Sequence, residues 1–133
     1  MIRFAQPDEG QAVRGLTIAN GANPNVAMML DWSKAGDSWL VETRAGKIVG
    51  AIQVCFGTPT ARLEDLSADM SLDGRARARI MKDLTEAAMA LCKQLGATAV
   101  RGFVPFKARS QKRGYKKRGW AVVEQGNMLL RVL

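Results

Sequence analysis

Three arginines follow one another at alternate positions in the segment Ser71–Ile80, between a predicted strand and the strongest predicted helix of the chain. Arg75, Arg77 and Arg79 add positive charge at the helix N-terminus, where unpaired backbone N–H groups favour an anion. The helix dipole disfavours cations at this end, and a bound anion would remove the conflict. The pattern therefore favours phosphate binding, the alternative being three solvated arginines beside a surface turn.

The sequence contains no histidine. This excludes a histidine general base, a Ser-His-Asp or Cys-His nucleophile and a metal site with histidine ligands. Cys55 and Cys92 are the two cysteines, lie in no metal-binding motif and cannot form a zinc site alone. They indicate buried thiols in a reducing compartment, so we expect a cytoplasmic protein without a metal.

The chain is strongly basic. Its 20 Lys and Arg against 12 Asp and Glu give a net charge of +8, and the segment Lys107–Arg118 is especially basic. Such a surface attracts polyanions, and the charge does not distinguish nucleic acid, an acidic protein and a phosphorylated cofactor. The length of 133 residues indicates one domain. No apolar run reaches the roughly 18 residues of a membrane-spanning helix, so we expect no membrane partner.

The apolar patterns predict the order β-α-α-β-β-β-α-β-α-β-β. Strands are predicted at Ile2–Ala5, Trp39–Arg44, Ile48–Phe56, Arg62–Met70, Thr98–Val104, Trp120–Glu124 and Met128–Val132. Helices are predicted from Pro7 to Gly21, from Pro24 through Trp32, from about Ala76 to Gly96, and within Lys107–Arg118. We therefore expect a single α/β (α+β) domain over residues 1–133, with a mixed, mostly antiparallel sheet of about seven strands and about four helices.

Three stretches resemble the GNAT superfamily of acyl-CoA N-acyltransferases. WLVETRAGKIVGAIQV is similar to that family's β2–β3 hairpin, and RLEDLSADMSLDGRARARIMKDL to its fourth strand, pyrophosphate loop and third helix. YKKRGW is similar to its Tyr-x-x-x-Gly-Phe element. Their order and spacing match the family over essentially the whole chain, which implies a GNAT fold.

The resemblance implies a binding site for acetyl-CoA. The family's loop Arg/Gln-x-x-Gly-x-Gly/Ala, which cradles the pyrophosphate, falls on Asp73, Ala76 and Ala78. Alanine at the last position is allowed, whereas Ala76 and Asp73 depart from the pattern, and an acid there would repel a pyrophosphate. The family also inserts the pantetheine arm between its fourth and fifth strands, next to the backbone of residues 68–70. The implied cofactor-binding residues are Ala68, Met70, Asp73, Gly74, Arg75, Ala76, Arg77, Ala78 and Arg79.

The resemblance also implies catalytic roles. Tyr115 falls on the tyrosine that protonates the departing thiolate, although the family's Asn and Ala upstream of it fall on Ala108 and Gln111. The attacking amine needs a base, for which Glu64 is the first choice and Asp65 the second, the two pointing to opposite faces of their strand. Glu42 and Glu124 are further candidates on other strands. Each of these carboxylates has the alternative of pairing with a surface cation.

Two hypotheses follow. The first is an N-acetyltransferase that moves an acetyl group directly from acetyl-CoA to a primary amine of a small molecule or protein, as a monomer or homodimer. Its acceptor pocket would come from the first two helices and the last hairpin, including Asn20, Asn23, Trp32 and Gln125. The second is a GNAT-fold module without activity, which binds nucleic acid or an acidic protein through Lys107–Arg118. In a variant of the first hypothesis, the same basic surface docks an acidic protein while the enzyme is active.

Overall fold

The computed structural model describes residues 1–21, 38–103, 109–122 and 128–133. The strands are β1 (Ile2–Phe4), β2 (Trp39–Arg44), β3 (Lys47–Cys55), β4 (Thr60–Ala68), β5 (Ala99–Phe103), β6 (Ala121–Val122) and β7 (Met128–Val132). The α-helices are α1 (Gly10–Ala19), α2 (Gly74–Gln94) and α3 (Arg109–Lys117), and a 3-10 helix at Pro7–Glu9 leads into α1. The second predicted helix, from Pro24 through Trp32, lies outside the described residues.

All seven strands form one sheet in the order β1-β2-β3-β4-β5-β7-β6. Only β4 and β5 run parallel, and every other neighbouring pair is antiparallel. The parallel pair is connected through α2, as a strand-helix-strand unit requires. The predicted mixed, mostly antiparallel α/β sheet of about seven strands is confirmed.

The two faces of the sheet carry separate apolar cores. Val13 of α1 packs on the smaller core with Trp39, Val41 and Ala51. The larger core lies on the opposite face and joins α2 to the middle of the sheet; its largest fully buried side chains include Ile52, Ile80, Leu84, Val100 and Leu129. α2 and α1 therefore lie on opposite faces of the sheet.

Gly50 of β3 lies directly under α2. A Cβ atom at Gly50 would lie 2.9 Å from Cδ1 of Leu84 and still closer to Cγ2 of Ile80. Both distances are shorter than the roughly 3.5 Å at which carbon atoms normally touch. The absence of a side chain at Gly50 thus sets how closely the long helix approaches the sheet.

The ends of α2 are set by local hydrogen bonds. Asp73 is the N-cap, and its Oδ1 accepts the N–H of Ala76 at 2.8 Å, so the helix begins at Gly74, earlier than the predicted start near Ala76. At the other end Gly96 has φ +102°, and the N–H of Ala97 donates to the carbonyl of Cys92. This is the glycine stop that the sequence predicts.

Strand β4 is displaced from its predicted range by two residues at each end, since it covers Thr60–Ala68 instead of Arg62–Met70. It ends at Ala68 because Asp69 turns the chain: its Oδ1 accepts both the N–H and the hydroxyl of Ser71, at 2.9 and 2.8 Å. In the described part of the chain, no helix is long and apolar enough to cross a membrane.

Candidate active site

The pairing between β4 and β5 stops halfway along β4. Four residue pairs join the strands, from Thr60↔Ala99 to Leu63↔Gly102. Among the described residues, β4 then continues to Ala68 with β3 as its only neighbouring strand. In this part of the chain the sheet therefore opens on one side of β4 from Glu64 onward, and the closed end of this opening lies at Leu63 and Gly102.

A β-bulge in β4 coincides with the start of the opening. Gln53 pairs with Glu64 but Ala51 pairs with Ser67, so β4 carries one more residue than β3 between these pairs. Asp65 has φ +51°, the left-handed conformation found in many bulges. The bulge bends β4 where its pairing with β5 ends.

The bulge lies at the two predicted bases. Leu63 belongs to the core beneath α2, and Leu66, three residues later, packs against the same core. Two residues, Glu64 and Asp65, therefore lie between them where strict alternation has one. Glu64 contacts Arg62 and Cys55 on the face that points away from the α2 core. That Asp65 points to the opposite face from Glu64 stays a prediction.

The carboxylate pair has a distinctive electrostatic environment. Partial desolvation of the carboxyl group, and secondly the charge of Glu64, raise the pKa of Asp65 above its ordinary value, although the residue as a whole is exposed. Glu64 lies 3.5 Å from the Arg62 guanidinium and accepts a hydrogen bond from the Cys55 thiol at 3.9 Å. Burial also raises the pKa of Cys55, so this thiol stays protonated and donates to the carboxylate.

Of the other candidate bases, Glu42 is buried on β2, with Oε2 at 3.6 Å from Arg44. It pairs with Gly50 and shares the face of Leu40, which belongs to the core beneath α2, so it does not join Glu64 and Asp65. Glu124 lies outside the described residues. No group of three metal-ligating side chains occurs in the described ranges.

The backbone of Ala68 lines the open side of β4. Asp69 donates its N–H to the carbonyl of Val49 at 2.8 Å. Hydrogen-bonded and non-hydrogen-bonded pairs alternate along antiparallel strands, so the next pair, Gly50 with Ala68, is a non-hydrogen-bonded one. The N–H and C=O of Ala68 therefore point away from β3, toward the opening. The side chain of Asn20, at the end of α1, contacts both groups. Asp69, in contrast, has its N–H bound within the sheet.

The loop that follows leads into the N-terminus of α2. Lys47 lies 3.0 Å from Oδ2 of Asp69, and hydrogen bonds from the Ser71 N–H and hydroxyl, together with this lysine, hold the pKa of Asp69 at about 2. Asp73 caps Ala76. Among the described residues, the N–H groups of Gly74 and Arg75 have no protein acceptor, so they are available to an anion.

The arginines surround this helix terminus. Arg75 and Arg79 are exposed, and Arg79 also lies 4.0 Å from Asp83 one turn further along α2. Arg77 is half-buried and reaches back to the carbonyl of Met70 at 3.5 Å. Ala76 and Ala78 lie between these arginines; Ala76 is half-buried and Ala78 is exposed. The structure therefore brings the predicted phosphate-binding residues together at one end of the opening.

Tyr115 is buried on the α2 side of the sheet, with 8% of its surface exposed. Its ring meets Trp120 edge to face at 5.4 Å, and the Arg118 guanidinium lies 5.1 Å from its centroid. The backbone N–H of Trp120 donates to the carbonyl of Tyr115, and the backbone N–H of Gly119, a residue with φ +91°, donates to the carbonyl of Lys116. The Tyr-x-x-x-Gly-aromatic spacing is thus also a helix C-cap of the Schellman type.

Tyr115 and Glu64 lie on opposite faces of the sheet. Tyr115 shares the core of Leu63, whereas the neighbouring Glu64 contacts Arg62 and Cys55 on the other face. A ligand that contacted both sites would have to pass through the opening between β4 and β5. The exposed Arg113, Lys116 and Lys117 extend the basic surface of α3, while Lys107 and Ala108 lie outside the described residues.

The sequence matches no protein-family model and no curated protein. The fold, in contrast, is similar to many solved structures. Ard1 from Thermoplasma volcanium is 20% identical with a TM-score of 0.81, over 100% of this chain and 97% of that one. The PaiA N-acetyltransferase from Thermoplasma acidophilum, solved with coenzyme A, is 14% identical with a TM-score of 0.76, over 100% and 98%. An acetyltransferase of the GNAT family from Staphylococcus aureus is 13% identical with a TM-score of 0.78, over 100% and 98%. The chain therefore has the GNAT-superfamily fold that its sequence motifs resemble.

Proposed function

We propose that this protein is an N-acetyltransferase that transfers the acetyl group of acetyl-CoA directly to a primary amine. The observation that carries the proposal is the opening beside β4, which has free helix N–H groups and arginines at one end and a carboxylate pair at the other. CoA has the matching shape, since it joins a highly charged phosphate end to a long, narrow amide arm. The coenzyme A in the PaiA structure supports the same ligand.

The residues at the wide end of the opening fit the phosphates. The N–H groups of Gly74 and Arg75, together with the side chains of Arg75 and Arg77, supply donors and positive charge at the start of α2. The carboxylate of Asp73 is occupied by the N–H of Ala76. Asp73 therefore has a structural role as the N-cap, which accounts for an acid at this position.

The residues at the closed end fit the transfer step. An ammonium group is attracted to Glu64 and Asp65, and one of these carboxylates then takes the proton of the attacking amine, directly or through a water. The backbone N–H groups of β4 that face the opening are suited to polarise the thioester carbonyl. Tyr115 is the proposed donor of the proton that the departing thiolate receives.

Titration calorimetry with acetyl-CoA and with CoA tests the proposal. We expect saturable binding that is weakened about tenfold or more by Arg75→Ala or Arg77→Ala, since charge-assisted contacts to a phosphate are lost. Lys93→Ala is the matched control, because Lys93 is an exposed cation at the opposite end of α2. It removes the same charge and should leave the affinity unchanged.

Absence of binding at millimolar acetyl-CoA would reject the proposal. The fold would then serve a binding module, and the basic surface of α3 would be the part to examine, by titrating the protein with DNA at several salt concentrations.

The pH dependence of transfer distinguishes the two candidate bases. An aliphatic diamine and a short peptide with a free α-amine serve as probes. If Glu64 is the base, Glu64→Gln abolishes transfer. If Asp65 is the base, the same variant keeps activity, and the acidic limb of the rate profile moves to lower pH because the charge that raises the pKa of Asp65 is gone. Tyr115→Phe should slow transfer and leave the affinity for acetyl-CoA unchanged.

A further inference from the structure

The side chain of Asn20 pairs with both main-chain polar groups of Ala68. Its Nδ2 donates to the Ala68 carbonyl at 2.9 Å, and its Oδ1 accepts the Ala68 N–H at 3.4 Å. The same Nδ2 also donates to the carbonyl of Leu16 within α1, at 2.8 Å. These contacts join positions that are 48 residues apart in the sequence.

The contact has the pattern of a strand pair. The N–H and C=O of Ala68 face the side of β4 on which β5 is no longer paired. A neighbouring strand would satisfy these two groups with one N–H and one C=O, and the carboxamide of Asn20 supplies the same donor and acceptor. Ala68 is fully buried, so without Asn20 these groups would lack a partner in a site with little water.

Any amide-containing ligand that pairs with β4 at Ala68 must therefore replace Asn20. The pantetheine arm of CoA contains two amides, each with one N–H and one C=O. We infer that Asn20 is a placeholder that occupies the pairing position of Ala68 and leaves it when the pantetheine arm binds. The inference rests on the proposed function, and it adds a residue at the C-terminal end of α1 that regulates access to the opening.

The position of Asn20 allows this exchange without unfolding of α1. Asn20 is the C-cap of α1, and its backbone N–H donates to Leu16 at 3.1 Å independently of the side chain. Gly21 follows with φ +102°. The carboxamide can therefore rotate away from Ala68 while the helix keeps its last turn.

Two ligands test the inference by calorimetry: CoA, and adenosine 3′,5′-bisphosphate, which lacks the pantetheine arm. Asn20→Ala removes contacts that exist only in the free protein, so the affinity for CoA should rise about threefold to tenfold. The affinity for the bisphosphate should not change. Gln11→Ala is the matched control, because Gln11 is an exposed carboxamide on the same helix. It should alter neither affinity.

A weaker or unchanged affinity of Asn20→Ala for CoA, with bisphosphate binding intact, would overturn the inference and leave the proposed function standing. If the wild-type protein binds neither ligand, the proposed function and this inference fail together. Asn20→Leu is the second variant in case the alanine variant does not fold. Leucine has a similar branched shape, is uncharged and can neither donate to nor accept from Ala68, so this variant should also bind CoA more tightly than the wild type does. Asn20→Asp would not serve, because its carboxylate still accepts the Ala68 N–H and repels an anionic ligand.

Discussion

Replacement of Gly50 by alanine tests how closely α2 lies on the sheet. The added Cβ would lie 2.9 Å from Cδ1 of Leu84, 3.3 Å from the carbonyl oxygen of Ser67, and inside the contact distance of Cγ2 of Ile80. Leu84 and Ile80 are fully buried, so neither side chain has free space to move into. Either α2 must shift away from β3, or both side chains must leave their preferred rotamers.

The size of the effect follows from the distances. Restoring an ordinary contact of about 3.5–4.0 Å with Leu84 requires a displacement of roughly 0.6–1.1 Å. Overpacking of this kind costs about 1–3 kcal/mol, partly offset by about 0.4–1 kcal/mol from the smaller entropy of the unfolded chain. We expect the free energy of unfolding to fall by about 1–2 kcal/mol and Tm by about 3–8 °C.

Urea and thermal unfolding, followed by circular dichroism, measure this change. Gly15→Ala is the control, because a Cβ at Gly15 meets nothing within 4 Å and the position is an exposed one in α1. It should stabilise the protein by about 0.5–1 kcal/mol. The double variant Gly50→Ala/Ile80→Leu removes Cγ2 of Ile80, which relieves the clash. Its free energy of unfolding should therefore fall by at least about 0.5 kcal/mol less than the two single losses added together. A Gly50→Ala protein as stable as Gly15→Ala would refute the close approach of α2.

Three further predictions concern the loop and the helix ends. Asp69→Asn should flatten the loss of stability in acid. The pKa of this carboxyl falls from 3.8 to about 2 on folding, so the carboxylate stabilises the protein fully above pH 3.8, and this effect is lost toward pH 2. Urea titrations across that range give the slope of the free energy of unfolding against pH, and the same slope in the variant and the wild type contradicts the prediction. Asp73→Ala should lower the free energy of unfolding by about 1 kcal/mol, because the N-cap is lost. Asp73→Asn should keep the cap and bind CoA more tightly than the wild type, because the negative charge is removed; thermal unfolding measures the first effect and calorimetry the second. Gly119→Ala should lower the free energy of unfolding by about 1–2 kcal/mol, since φ is +91° and a Cβ there would lie 3.2 Å from Nε of Arg131. The control is Gly114→Ala in α3, where a Cβ meets only ordinary contacts and should not destabilise the protein. Equal melting temperatures for the two variants would argue against the C-cap.

The described elements were predictable where local patterns determine them. The apolar stripe of α2 and the glycine stop at Gly96 are local, and so is the β2–β3 hairpin. The predicted start of α2 is two residues too late, because the sequence alone does not show that the side chain of Asp73 accepts the N–H of Ala76 and so begins the helix at Gly74. A pattern of residue types contains the capping residue but not this geometry.

For the candidate site, residue types can be predicted from the sequence, but their arrangement cannot. Arg75, Arg77 and the Glu64–Asp65 pair stand out by type and spacing, yet the residue types do not reveal the β-bulge at Asp65. This bulge depends on the register between β3 and β4, which is a non-local property. The contact between Asn20 and Ala68 was missed for the same reason, since no periodicity links residues 48 positions apart.

The described pairing between β4 and β5 joins a part of the sheet with four strands to a part with three, along four residue pairs. A molecule bound in the opening would contact both parts. It would set the angle between them and supply hydrogen bonds to the section of β4 that lies beyond these pairs.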